Sequence, residues 1–126
     1  MQTSNTISTP NAPQAIGPYS QAYTYNGLIF TSGQIALTPQ GDFINGDIVA
    51  QTTQVLENLE AILESAGSSL QKVLKTSVFL ADMNDFNALN EVYARYFGSH
   101  KPARSTIAVK TLPKNALVEI ECIATL

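Results

Sequence analysis

The stretch KVLKTSVFLA at 72–81, followed by DMNDFNALNEVYARYFG at 82–98, changes period at its midpoint. In the first half apolar residues point both ways, the pattern of a central strand covered on two sides. In the second half Phe86, Leu89, Tyr93, Tyr96 and Phe97 fall on one side of a helix, with Asp82 or Asn84 as its cap and Gly98 as its stop. Upstream, apolar positions 48, 55, 56, 59, 62, 63 and 66 trace a second one-sided helix between Asp47 and Gly67. Further out, Tyr19 to Tyr25 and Leu28 to Leu37 form a hairpin around Asn26-Gly27, the pair that supplies two positive-φ positions. Arg104 to Val109 and Ala116 to Thr125 read as two strands around the turn TLPKN. Residues 1 to 18, with three X-Pro bonds, read as extended loop with a short strand near Thr6 to Ser8. The order is β-β-α-β-α-β-β, an α+β chain, with that extra strand at the start making six.

At 126 residues the chain is a single domain, 1–126, and a two-domain enzyme is excluded. Seven basic against ten acidic residues, a net charge of -3, lack the basic field that a phosphate backbone needs, so nucleic acid is not the expected partner. One Cys and one His cannot build a Cys/His zinc centre or an internal disulfide. No metal is expected, no run is long enough to cross a bilayer, and the start carries no leader pattern, so the expectation is a cytoplasmic protein without a membrane partner. Charged residues are only 13% of the chain, about half the usual ~25%, which points to surface covered by something. Two helices cover one face of a sheet, leaving Leu28, Phe30, Val73, Phe79, Leu117 and Ile123 partly on the other. A symmetric homo-oligomer would cover that face.

The last strand, VEIECIA at 118–124, alternates so that Val118, Ile120 and Cys122 face the core while Glu119 and Glu121 face the opposite way, about 7 Å apart. If TLPKN closes a hairpin, Thr106 lies opposite Glu119 and Arg104 opposite Glu121, on one sheet face. On pattern alone this is a cross-strand ion pair on a solvated face. The sharper reading makes Arg104 a fork for a ligand carboxylate and Glu119 the handler of a water or a proton. Burial and Glu121 would raise the Glu119 pKa and Arg104 would lower it, leaving its sign open.

Gly33 inside a strand marks a bulge or a close approach to the backbone. Tyr19 reads as edge packing, Asn90 as a polar residue flanking the helix stripe, and Cys122 as a buried small hydrophobe. Ser32 has no nucleophile elbow and His100 no patterned Asp partner, so a Ser-His-Asp triad is not expected. No phosphate-binding glycine loop occurs.

AIGPYSQA at 15–22, FTSGQI at 30–35, KTSVFLADMNDF at 75–86, PARSTIAV at 102–109 and LPKNALVEIECIA at 112–124 together resemble the Rid/YjgF family of reactive intermediate deaminases, RidA type. The resemblance implies a chorismate-mutase-like α+β fold, a six-stranded mixed sheet with two helices on one face, in a homotrimer with active sites between subunits. It implies hydrolysis of 2-imino acids and their enamine tautomers, such as 2-aminoacrylate and 2-iminobutanoate, to 2-keto acids and ammonia, with no cofactor. Carried over by position, Arg104 clamps the substrate carboxylate and Glu119 holds and activates water, while Tyr19, Ser32, Gly33 and Asn90 line or support the pocket. Thr106 stands where Cys is common in such proteins. Alternatives on the same scaffold are a non-catalytic carboxylate-binding regulator, a chaperone-like protein, and a ribonuclease or translation inhibitor, the last opposed by the acidic balance and single His.

Overall fold

A computed structural model describes residues 4–126. Six strands, β1 (Ser4–Ile7), β2 (Ala22–Tyr25), β3 (Leu28–Thr31), β4 (Val73–Leu80), β5 (Ala103–Ala108) and β6 (Val118–Thr125), form one mixed sheet in the order β1-β2-β3-β6-β4-β5. Helices α1 (Ile48–Ser65) and α2 (Phe86–Phe97) pack on one face of it. Asp47 caps α1 through a bond from the Ala50 N–H, and the chain leaves it through Gly67 at φ 84°. Asp82 caps a short 3-10 turn at Met83–Asp85 that leads into α2, accepting from the Asn84 N–H.

The β2–β3 hairpin turns through Asn26 and Gly27, both at positive φ as expected, but its strands are shorter than the alternation implies. Tyr19 lies in the loop before β2, and β3 stops at Thr31 because the ladder gains a residue. Phe30 pairs with Ile123 and the next bridge joins Gln34 to Ile120, four steps on one side against three on the other. The Thr31 Oγ1 takes the Cys122 N–H at 2.9 Å where the backbone partner is lost. Gln34 then exchanges two backbone bonds with Ile120, and Asn58 of α1 donates to the Leu37 carbonyl at 2.8 Å, fixing 34–37 beneath the helix.

The expected hairpin between the last two strands does not form. β5 runs parallel to β4, and β6 lies on the far side of β4, antiparallel to it and to β3. The strand-helix-strand unit β4-α2-β5 lays β5 beside β4, as a crossover helix does. The following connection is long enough to pass over the end of β4, and bonds to it on the way: the Val109 N–H donates to the Leu80 carbonyl and the Ala81 N–H to the Leu117 carbonyl. Its left-handed Lys114 and Asn115 turn the chain into β6.

The core lies between sheet and helices, with Val55, Leu59, Ile62, Val78, Leu89, Val118 and Ile120 fully buried. β4 is covered on one side only within the chain. Of the apolar residues expected on the open face, Val73 and Leu117 turn inward instead. A register shift between Val73 and Lys75 swings Val73 to the helix side, and Leu117 is held by its N–H bond to Gln51 Oε1. Tyr23, Phe30 and Ile107 stay exposed there, beside half-buried Phe79 and Ile123. Burial pushes the Cys122 thiol up to about 11, which makes it a core side chain rather than a nucleophile. No helix among the described residues is long and apolar enough to cross a membrane.

Candidate functional site

Because β5 and β6 flank β4, register assigns each candidate a face. Arg104, Thr76 and Cys122 share a row, as do Thr106, Val78 and Ile120; both rows face the helices. Glu119, Phe79 and Ile107 share a row on the open face, and so do Glu121, Ser77 and Ser105. Arg104 and Thr106 therefore do not lie opposite Glu121 and Glu119, as the hairpin reading required; they lie on the other side of the sheet. A cross-strand ion pair between Arg104 and either glutamate within one chain is ruled out by the same register.

Arg104 emerges where β5 meets α2, bordering a cavity of about 340 Å³ with Asn90, Tyr93, Phe97, His100 and Lys101. Its Nη1 donates to Asn90 Oδ1 at 2.8 Å. Its guanidinium carbon stands 4.8 Å from the Tyr93 ring centre and 5.5 Å from that of Phe86. Phe86, Asn90 and Tyr93 recur at i, i+4 and i+7, one stripe of α2, so a single helix face supplies two rings and one amide acceptor. By apolar periodicity alone Phe86 and Tyr93 are ordinary core positions. The cue in the sequence is the amide set inside an aromatic stripe. Burial raises the Tyr93 phenol, and its oxygen shares a 2.7 Å hydrogen bond with Thr76.

On the other face, Glu119 borders a cleft of about 130 Å³ with Pro13, Ile16, Tyr19, Gly33 and Lys114. Burial, and then the charge of Glu121, push its carboxyl above the ordinary 4.5. Within the chain the opposing influence expected of Arg104 is absent, because Arg104 lies across the sheet. Gly33 belongs to the extra residue of the ladder and is also a close approach: the Glu119 side chain lies directly over it. A Cβ on Gly33 would come within 2.9 Å of the Glu119 Cδ and closer still to Oε2. Ser32 supports the cleft from behind. Its hydroxyl donates to the Ser20 carbonyl at 2.5 Å and its N–H to the Gln21 carbonyl, anchoring the chain next to Tyr19. Gln21, buried, donates to the Pro13 carbonyl at 2.7 Å and accepts from the Thr9 N–H at 2.7 Å, which holds the loop walling the cleft. Gln21, Pro13 and Lys114 were not expected at the site.

The structure thus sorts the expected residues into two groups, Arg104 with Asn90 and Glu119 with Tyr19, Gly33 and Ser32, on opposite faces. Thr106 joins neither group through a hydrogen bond. Its Oγ1 is buried without a partner, as is that of Thr52 in α1. An apolar or thiol side chain would leave no hydroxyl unmet, so Thr106→Val and Thr52→Val are each expected to stabilise the fold by about 1 kcal/mol, measured as a higher denaturant midpoint at unchanged slope. No three His, Cys, Asp or Glu side chains gather into a metal-binding group among the described residues.

A sequence profile described as Endoribonuclease L-PSP matches residues 9–126. This chain belongs to that family, the Rid/YjgF proteins. Among its Rid/YjgF relatives, a RutC family protein of Pyrococcus horikoshii is 56% identical over 119 residues, 94% of each chain. The 2-iminobutanoate/2-iminopropanoate deaminase of Homo sapiens is 47% identical over 119 residues, 94% of this chain and 87% of that one. The solved structure of the Rid protein YyfA from Yersinia pestis superposes with a TM-score of 0.96 at 48% identity, covering 98% of this chain and 100% of that one. The Rid/YjgF fold expected from the sequence, two helices on one face of a six-stranded mixed sheet, is the one observed.

Proposed function

We propose that the chain is a hydrolase of reactive 2-imino acids and their enamine tautomers, acting as a homotrimer whose sites lie between subunits and disposing of damaging intermediates in the cytoplasm. The observation that carries this reading is the division of the site. A braced guanidinium on one face and a carboxyl of raised pKa on the other cannot meet within a chain, and each has what the other lacks. Arg104 of one subunit would hold the substrate carboxylate while Glu119 of its neighbour faces C2. The exposed Tyr23, Phe30 and Ile107 beside Glu119 give a second copy an apolar surface to cover. The name of the human relative supports the substrate class, and the buried free thiol suits a reducing compartment.

The chemistry is a hydrolysis without net oxidation: a 2-imino acid and water give a 2-keto acid and ammonia. Glu119 as carboxylate takes a proton from water as the water oxygen bonds to C2 of the protonated imine and the C=N electron pair moves to nitrogen, giving a carbinolamine. Glu119 then gives that proton to nitrogen and accepts the hydroxyl proton as the C–N bond breaks and the carbonyl forms, releasing ammonia. For an enamine, protonation of C3 first yields the imine. A carboxyl shifted toward neutrality is a stronger base and a better proton store than an ordinary one.

The test generates 2-aminoacrylate or 2-iminobutanoate in place with a threonine dehydratase, traps the imine competitively with semicarbazide, and follows 2-keto acid release. Acceleration by the assembled protein is the expected result. A folded trimer that binds 2-oxobutanoate without accelerating release would leave carboxylate binding as the function, and RNA cleavage falling steeply with salt would favour the ribonuclease reading. The acid limb of kcat/KM follows deprotonation of Glu119, which burial and the charge of Glu121 push to higher pH and the neighbouring subunit's guanidinium would pull to lower pH. Glu121→Gln removes one of the two raising influences and is expected to move that limb to lower pH.

A further inference from the structure

The geometry points to Tyr93 and Thr76 as positioning residues that set the plane of the Arg104 guanidinium and act on carboxylate binding only through it; this rests on Arg104 being the clamp proposed above. A long arginine side chain loses much rotamer freedom when it grips a ligand, so a clamp gains from being held beforehand. One hydrogen bond to Asn90 fixes a point and leaves the plane free to turn about it. The plane is set by the rings, and Tyr93 is the nearer, at 4.8 Å.

Tyr93 is itself immobilised at both ends. Phe97 stacks against its ring at 4.5 Å, and its hydroxyl meets Thr76 at 2.7 Å. Thr76, 0% exposed, is the ladder partner of Arg104 on the adjacent strand. The circuit therefore closes: Arg104 lies on the ring, the ring is tied to Thr76, and Thr76 is hydrogen-bonded in the sheet beside Arg104. A Phe–Val pair of nearly the same shape would fill this space without burying two hydroxyls, and such paired replacements are close to neutral for folding. The hydroxyl pair is thus worth little to the core and fixes the ring, hence the clamp.

The experiment compares the assembled wild type with Tyr93→Phe, Thr76→Val and the double variant, whose matched apolar pair protects the fold. Nitrogen-15 NMR of the arginine Nε–H groups, with Arg104 assigned by loss of its signal in Arg104→Lys, reads guanidinium rotation directly. Kd for 2-oxobutanoate and the KM and kcat for 2-iminobutanoate read the consequence. Expected are faster guanidinium rotation, and KM and Kd raised about 3- to 10-fold, the range of one neutral hydrogen bond, with kcat little changed. In the Arg104→Lys background the same substitutions are expected to add nothing. Unchanged rotation and affinity in the double variant would overturn the proposal, as would an equal loss in the Arg104→Lys background, which marks a merely structural role. If wild type neither binds 2-oxobutanoate nor releases keto acid, the clamp reading fails, and the rotation measurement alone decides whether Tyr93 and Thr76 hold Arg104.

Discussion

Chains carrying Arg104→Ala and chains carrying Glu119→Gln, each nearly inactive alone, are expected to recover activity when co-expressed and isolated through two different tags. Losing the guanidinium removes two charge-assisted bonds to the substrate carboxylate, about 3–6 kcal/mol or about 10²- to 10⁴-fold in kcat/KM. Losing the base costs about 10²- to 10⁴-fold, mostly in kcat. A mixed assembly differs from either parent, because each site takes its Arg104 from one chain and its Glu119 from the next. A homotrimer isolated through both tags always contains both kinds of chain, and only one of its three interfaces joins an intact Arg104 to an intact Glu119, so about a third of the sites are complete. The check is kcat per site in the doubly tagged fraction, with composition set by mass spectrometry. Activity no greater than the sum of the two parents would place both groups in separate functions and remove the shared site.

The second large effect is expected from the smallest change. Gly33 does not adopt a left-handed φ, so its backbone accepts alanine, and Gly33→Ala is expected to fold and assemble normally. The added methyl occupies the place of the Glu119 carboxylate, which must then move by about an ångström or more. Misplacement on that scale costs about 10²-fold, read as a fall in kcat at nearly constant Tm. The control is a Glu119→Ala background, where Gly33→Ala is expected to change nothing further. A normal rate in Gly33→Ala would mean that Glu119 works from another rotamer.

What could be read in advance divides along the reach of the interactions concerned. Both helices, their stops at Gly67 and Gly98, the cap at Asp47 and the Asn26-Gly27 turn are set within a few residues of chain and were visible as patterns. Pairing between the last strands is not local. Alternation in VEIECIA says which residues share a face but not which strand lies alongside, and TLPKN resembles a hairpin turn until α2 is seen to bring β5 against β4 in parallel. That one error put Arg104 and Glu119 on the same face. The family resemblance names the same residues whichever face they occupy, because motifs carry position without geometry. Gly33 inside a strand and the amide within the aromatic stripe of α2 are visible as local signals, but what each meets, Glu119 over Gly33 and Thr76 against Tyr93, depends on contacts between distant segments, which no short pattern encodes.

The extra residue in the β3 ladder also bears on how this scaffold can be altered. Deleting one residue between Thr31 and Gln34 would restore simple pairing with β6 and leave Gln34 opposite Ile120 on the buried side, but it would take away the stretch of backbone at Gly33 over which the Glu119 side chain lies. Loops are ordinarily where variants of differing length accumulate, yet here the three residues between Phe30 and Gln34, the successive partners of β6, behave as a fixed spacer. Libraries built on this chain can vary the letters at Thr31 and Ser32 with graded effects, whereas changing their number would remove or displace the floor beneath Glu119 in a single step.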